Sequence, residues 1–161
     1  MAAITAKRLN KNLQIDLFDA NKGIGKKILA SGNGRCNISN NQITSKNYLG
    51  ENPDFTSFAL KEFDFKAFEK FCKSIGLLLD IKPSGKVYPL SNEAKSVTNL
   101  LELALQELGV NIYLESMITD IEKIDDKFNI TTKENEYKAY DKVVISNGLG
   151  AAPQLNANES G

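Results

Sequence analysis

An α/β sheet with a small antiparallel meander on one crossover is the fold this sequence predicts, and three observations predict it. An alternating apolar run near the start ends in an acid and then a glycine-rich loop, Ser31-Gly32-Asn33-Gly34-Arg35-Cys36-Asn37. Helical and strand-like apolar spacings interleave through the middle, and several short strand-like runs follow the longest helix. Last comes Val143-Val144-Ile145, a continuous apolar run that leads into Ser146-Asn147-Gly148-Leu149-Gly150, a second glycine-rich exit.

Taken in order, residues 2–10 read as the end of a helix, with Ile4 and Leu9 among small and basic residues. Leu13, Ile15 and Leu17 alternate as in a strand, Phe18 extends it, and Asp19 stands where it stops. Asn21 to Asn41 is loop-rich, interrupted by Ile28-Leu29-Ala30. Asp64 is an N-cap for a helix with apolar residues at Phe65, Phe68, Phe71, Cys72 and Ile75, closed by Gly76. Leu77 to Ile81 and Lys86 to Leu90 flank Pro83-Ser84-Gly85 and read as a hairpin. Ser91-Asn92 opens the clearest helix, whose stripe is Val97, Leu100, Leu101, Ala104, Leu105 and Leu108, and Gly109 stops it. Asn111–Ser116, Ile118–Lys123, Phe128–Thr132 and Tyr137–Tyr140 are strand-like, and Val143–Ile145 reads as a strand covered on both faces. The phenylalanines from Phe55 to Phe71 read as core spacing.

The loop at 31–37 suits a phosphorylated ligand. Glycine lets the backbone come close and turn its N–H groups inward, and arginine offers a planar, permanent cation to an oxyanion. Composition narrows the chemistry around it. The chain has 161 residues, enough for one domain's core, and no histidine, which excludes His-based acid/base catalysis, Ser-His triads and His-ligated metals. Two scattered cysteines, Cys36 and Cys72, cannot make a metal site alone and read as reduced thiols of a cytoplasmic protein. No run reaches the roughly 18–20 apolar residues of a membrane span. Residues 1–46 hold eight Lys/Arg against two acids, net +6, whereas residues 47–161 hold twelve against eighteen, net −6. That asymmetry argues for a localised anion site, and not for a nucleic-acid face, which would be basic throughout and interleaved with aromatics.

The run Gly25-Lys26-Lys27-Ile28-Leu29-Ala30-Ser31-Gly32-Asn33-Gly34-Arg35-Cys36-Asn37-Ile38-Ser39-Asn40 resembles the signature of the bacterial BaiN-like (aminoacetone oxidase-type) NAD(P)/FAD-dependent oxidoreductases. The likeness continues through Gly85-Lys86-Val87-Tyr88-Pro89-Leu90-Ser91, Glu107-Leu108-Gly109-Val110 and Val143 to Gly148. It implies a partial FAD/NAD(P)-binding Rossmann-like domain of the two-dinucleotide-binding-domain flavoprotein kind, with the meander inserted. By the same resemblance, Asp19 matches the acid that accepts hydrogen bonds from the adenosine ribose, and Lys26 and Lys27 match the basic pair after that strand. Ser31, Gly32, Gly34, Arg35, Cys36 and Asn37 match the loop beside pyrophosphate and flavin. Ile118 matches the apolar position whose backbone meets adenine, and Asn147 with Gly148 matches the exit of the last strand, where threonine is usual in place of Asn147. FAD is the implied cofactor, NAD(P)H the implied reductant, and a small molecule the substrate.

A departure at the front qualifies the likeness. A dinucleotide fold begins with a strand and G-x-G-x-x-G about 20 residues before the acid, whereas residues 1–18 contain no glycine. The sequence therefore reads as an internal piece of a flavoprotein, residues 1–161 forming a single incomplete FAD-binding domain with weak or absent affinity for FAD in isolation. A missing central strand would leave its neighbours at 13–18 and 143–146 with exposed backbone edges and a tendency to self-associate. Alternatives stand beside each assignment: Asp19 as a solvated strand-end turn, Lys26 and Lys27 as a solvated pair, Cys36 as a small packed residue, Asn147-Gly148 as an ordinary strand exit. For the chain as a whole, the alternative is a non-catalytic fragment or binding module that has lost FAD.

Overall fold

The computed structural model describes residues 1–52 and 54–148. It divides into two compact units, one made of residues 1–26 together with 105 onward, the other of residues 27–104.

In the first unit, α1 (Ala2–Leu9) leads to β1 (Asp16–Phe18). Ile4 is fully buried, while Leu9, on the last turn, lies in solvent. β1 pairs in parallel with β5 (Asn111–Tyr113), with Leu17 opposite Ile112 and Phe18 opposite Tyr113. The ladder extends beyond the strands through Asn111 N to Ile15 O (3.0 Å) and Asp19 N to Tyr113 O (2.9 Å). Phe18 stacks on Tyr113 with ring centroids 4.9 Å apart, and Tyr137 meets both rings edge-on. Such offset and edge geometries align the negative ring face with a positive ring edge. Tyr140 donates its hydroxyl to Asp16 Oδ2, and Asn111 Nδ2 donates to Asp16 Oδ1 at 2.7 Å. Burial and that acceptor push the Tyr140 phenol well above its ordinary range.

The expected meander is present in the same unit. β6 (Ile118–Ile124), β7 (Lys127–Thr132) and β8 (Glu136–Tyr140) form an antiparallel sheet in that order. Thr132 Oγ1 accepts from Asn135 N at 3.0 Å and donates to Asn135 O, also at 3.0 Å, which closes the β7–β8 turn.

The expected strand at Val143–Ile145 is not formed. Val144 is 74% and Ile145 55% exposed, and residues 142–148 carry no regular structure. An apolar run becomes a strand only where a neighbour supplies backbone partners, and among the described residues β1 pairs with β5 alone. Leu149 and Gly150 lie outside the described residues.

The second unit begins with α2 (Lys26–Ala30), whose first residue belongs to the first unit by packing, and continues through a 3-10 turn at Ser31–Gly34. β2 (Ser39–Asn40), β4 (Lys86–Pro89) and β3 (Leu79–Ile81) form an antiparallel sheet with β4 in the middle. The β3–β4 hairpin turns at Pro83-Ser84-Gly85 as read, Gly85 N donating to Lys82 O at 2.9 Å.

Two helices precede that hairpin. α4 (Phe65–Ser74) begins with Asp64 Oδ1 accepting from Ala67 N at 2.8 Å. It ends with Gly76 at φ +77° and Leu77 N returning to Cys72 O, the left-handed closure that glycine permits. α3 (Phe55–Glu62) departs from expectation: Phe55 is 81% and Phe58 75% exposed, and no residue of this helix is buried. Its phenylalanines match helical core spacing, but spacing says nothing about whether another element covers that face.

α5 (Ala94–Glu107) buries Val97, Ala104 and Leu105 of its stripe, and Ala94 besides, and Gly109 at φ +68° follows its end. The second unit's core gathers Cys36, Cys72, Ile75, Leu77, Val87 and Val97. No described helix is long and apolar enough to cross a membrane.

Candidate functional site

Backbone handedness shapes the glycine–arginine loop. Gly32 (φ +58°, ψ +32°) and Asn33 (φ +54°, ψ +46°) are both left-handed, Gly34 follows at φ +81° and Cys36 at φ +59°. Glycine takes these angles without strain, and asparagine is among the side chains that tolerate them best. The turn closes on itself: Arg35 N donates to Gly32 O and Cys36 N to Ser31 O, both at 3.1 Å, while Ser31 Oγ donates to Ile28 O at 2.8 Å. The amides of Arg35 and Cys36 are thus spent on the turn.

The two loop glycines do different work. A β-carbon on Gly32 would lie 2.8 Å from Asn37 N, so this glycine lets the chain cross itself. A β-carbon on Gly34 would meet nothing within 4 Å, so the backbone there is bare and open to approach.

β4 carries the loop. Ile38 N donates to Val87 O at 2.8 Å, and β2 pairs Ser39 with Val87 and Asn40 with Lys86. With its amide nitrogen turned toward the strand, Asn37 donates to Val87 O (3.3 Å) and Ser39 O (3.1 Å). Asn37 is therefore a clamp between loop and sheet. Cys36 is 2% exposed, so its thiol packs inward. Arg35 is exposed, its guanidinium carbon 5.6 Å from the centre of the Tyr88 ring. A cavity of about 350 Å³ lined by Leu77, Leu78, Pro89, Leu90 and Leu100 includes none of residues 31–37.

The remaining predicted residues fall mostly in the other unit. Asp19 sits at the carboxyl end of β1, where ligands gather in open α/β sheets. Its Oδ1 accepts from both Asn21 N (2.9 Å) and Asn21 Nδ2 (2.8 Å), and Ser116 N donates to its carbonyl. A carboxylate has room for about four donors, so this turn does not saturate it. Ile118 opens β6 opposite Thr132, beside a register irregularity. Asn147 is half-buried and Gly148 has φ +77°. Lys26 and Lys27 begin α2. The structure thus gathers Ser31, Gly32, Gly34, Arg35, Cys36 and Asn37 on β4, and sets Asp19 where two parallel strands end. Tyr88, absent from the residues that composition singles out, is the ring that meets Arg35. The signal was the spacing of β4: Val87 and Pro89 face the core, which turns Tyr88 to the other side.

A parallel pair ending in an acid, a glycine turn with an exposed arginine, and an antiparallel meander are the features of a partial Rossmann-like α/β domain. The HI0933-like protein Rossmann domain matches residues 1–161, and the chain belongs to that family. It is 35% identical over its whole length to the 3-dehydro-bile acid delta(4,6)-reductase of Clostridium scindens, covering 39% of that protein. It is 28% identical over 151 residues to a ribosomal RNA dihydrouridine synthase of Haemophilus influenzae, which aligns with 91% of this chain and 37% of the relative. A ribosomal RNA dihydrouridine synthase of Escherichia coli is also 28% identical, over 90% of this chain and 36% of its own. The chain spans less than two-fifths of the length of each of these curated relatives.

Proposed function

We propose that this chain is the FAD-binding portion of a flavin-dependent oxidoreductase. One observation carries the reading: Arg35 stands exposed on a turn whose Gly34 leaves the backbone bare, inside a Rossmann-like domain of the HI0933-like family. The residues fit the cofactor. Arg35 is the cation for the pyrophosphate, Gly34 permits close approach, and Ser31, Gly32, Cys36 and Asn37 hold the turn in shape. Asp19 accepts from ribose hydroxyls, Ile118 presents backbone to adenine, Lys26 and Lys27 supply positive charge, and Asn147-Gly148 borders the flavin side. When bound, the flavin supplies hydride or electron transfer, while the protein provides binding, orientation and electrostatics.

NAD(P)H is the proposed reductant and a small molecule the proposed substrate. The reductase relative supports this reading, as does the net −6 of residues 47–161, which opposes binding to a polyanion. The two relatives named for ribosomal RNA make RNA the competing substrate, and a gel shift with ribosomal RNA at moderate salt decides between them. The open edge of β1 is a proposed site of self-association.

An absorbance spectrum of the purified chain, followed by FAD titration, tests the cofactor. Flavin bands or saturable uptake support the proposal, and Arg35→Ala then weakens uptake roughly tenfold, the scale of one charge-assisted contact. A colourless chain that FAD cannot titrate leaves the alternative, a non-catalytic binding module.

A further inference from the structure

We infer that Tyr88 is the positioning residue for Arg35, its ring fixing the guanidinium in the orientation that meets the cofactor's phosphates. This rests on the FAD reading above.

Within the second unit, Arg35 has two restraints: the Tyr88 face at 5.6 Å and a long hydrogen bond from Nε to Gly32 O at 3.4 Å. Among the described residues it forms no ion pair with a carboxylate. That choice of partner has a chemical consequence. A carboxylate would neutralise the guanidinium and occupy its in-plane donors. An aromatic face holds the cation through its quadrupole and leaves those donors free for an oxyanion. Ordering the side chain in advance also removes part of the entropy lost on binding.

Tyr88 is well placed to impose this order. It lies on β4, the middle strand of its sheet, opposite Asp80 of β3 and between fully buried Val87 and Pro89, so its backbone is fixed by the sheet. The same strand's Val87 O receives Ile38 N, which ties the loop to the strand one residue from the ring. A β-carbon on Gly32 would lie 3.8 Å from Tyr88 Cε1, so the ring also packs beneath the turn that carries Arg35.

The test uses the full chain with Tyr88→Leu, Tyr88→Phe and Arg35→Ala, alone and combined. Before any cofactor is added, Arg35 side-chain proton resonances should be ring-shifted upfield in the wild type and in Tyr88→Phe. They should return to exposed-arginine values in Tyr88→Leu. In FAD titrations Tyr88→Leu should bind about threefold to fivefold more weakly, the worth of an exposed cation–π pair. Tyr88→Phe should match the wild type, and Tyr88→Leu should add nothing once Arg35 is alanine. Unshifted Arg35 resonances in the wild type overturn the inference, as does an equal loss with and without Arg35. A wild type that takes up no FAD overturns the cofactor reading and this inference together. A wild type that binds FAD but shows additive losses overturns this inference alone.

Discussion

Replacing Gly32 with alanine should loosen the loop far more than the same change at Gly34. At Gly34 the only cost is a left-handed φ of +81° for an L-residue, about 1–2 kcal/mol. Gly32 carries the same cost at φ +58° and adds a β-carbon 2.8 Å from Asn37 N, a backbone atom that cannot swing aside. Relief requires the turn to open by some tenths of an ångström, which stretches the 3.1 Å bond from Arg35 N to Gly32 O and costs roughly 1 kcal/mol more. The Gly32→Ala loss is therefore about 2–3 kcal/mol. Because the chain forms two compact units, a global melt would mix them, and native-state hydrogen exchange at the Ile38, Arg35 and Cys36 amides is the local assay. Exchange there should speed up by about 30- to 150-fold in Gly32→Ala and about 5- to 30-fold in Gly34→Ala, at 1.4 kcal/mol per factor of ten. Equal effects of the two substitutions would refute the assignment of Gly32 to chain crossing.

Three further outcomes are expected. Asp64→Ala removes the acceptor of Ala67 N and should lower the stability of α4 by about 1 kcal/mol, read as roughly fivefold faster native-state hydrogen exchange at the neighbouring Phe68 amide. Burial, then the charge of Glu69, pushes the Cys72 thiol up to about 11 from its ordinary 9.0. Its folded pKa is raised, so the stabilisation is complete below pH 9 and is lost between pH 9 and about 11; thiolate absorbance of the folded chain should show a step in that window, and Cys72→Ala should remove it. Tyr140→Phe deprives Asp16 of a hydroxyl donor and should cost about 1–2 kcal/mol in the first unit, while ultraviolet titration of the wild type shows two tyrosines, Tyr113 and Tyr140, ionising above the ordinary 10.

Much of the fold was legible because its signals are local. Asp64 and Gly76 bracket α4, and Gly109 follows α5, through capping chemistry that acts over a few residues. The β3–β4 hairpin and the meander announce themselves through turn residues between alternating runs. What escaped depends on partners distant in sequence. Val143–Ile145 has strand composition but no ladder among the described residues, and Phe55 and Phe58 have core spacing without a cover. The pairing of β1 with β5 rather than with Val143–Ile145 is likewise a choice among edges that periodicity does not encode.

The loop shows the same limit at finer scale. Its composition pointed to a binding element, and both glycines looked equally suited to a ligand. Geometry separates them. Gly32 is consumed by the crossing over Asn37, and the Arg35 and Cys36 amides by the turn, which leaves Gly34's bare backbone and the Arg35 guanidinium exposed for the proposed site. Recognition in that proposal is then mainly a matter of where one cation points. Tyr88, whose ring meets it, lies 53 positions away in the sequence and comes within reach only because β4 folds back beneath the turn.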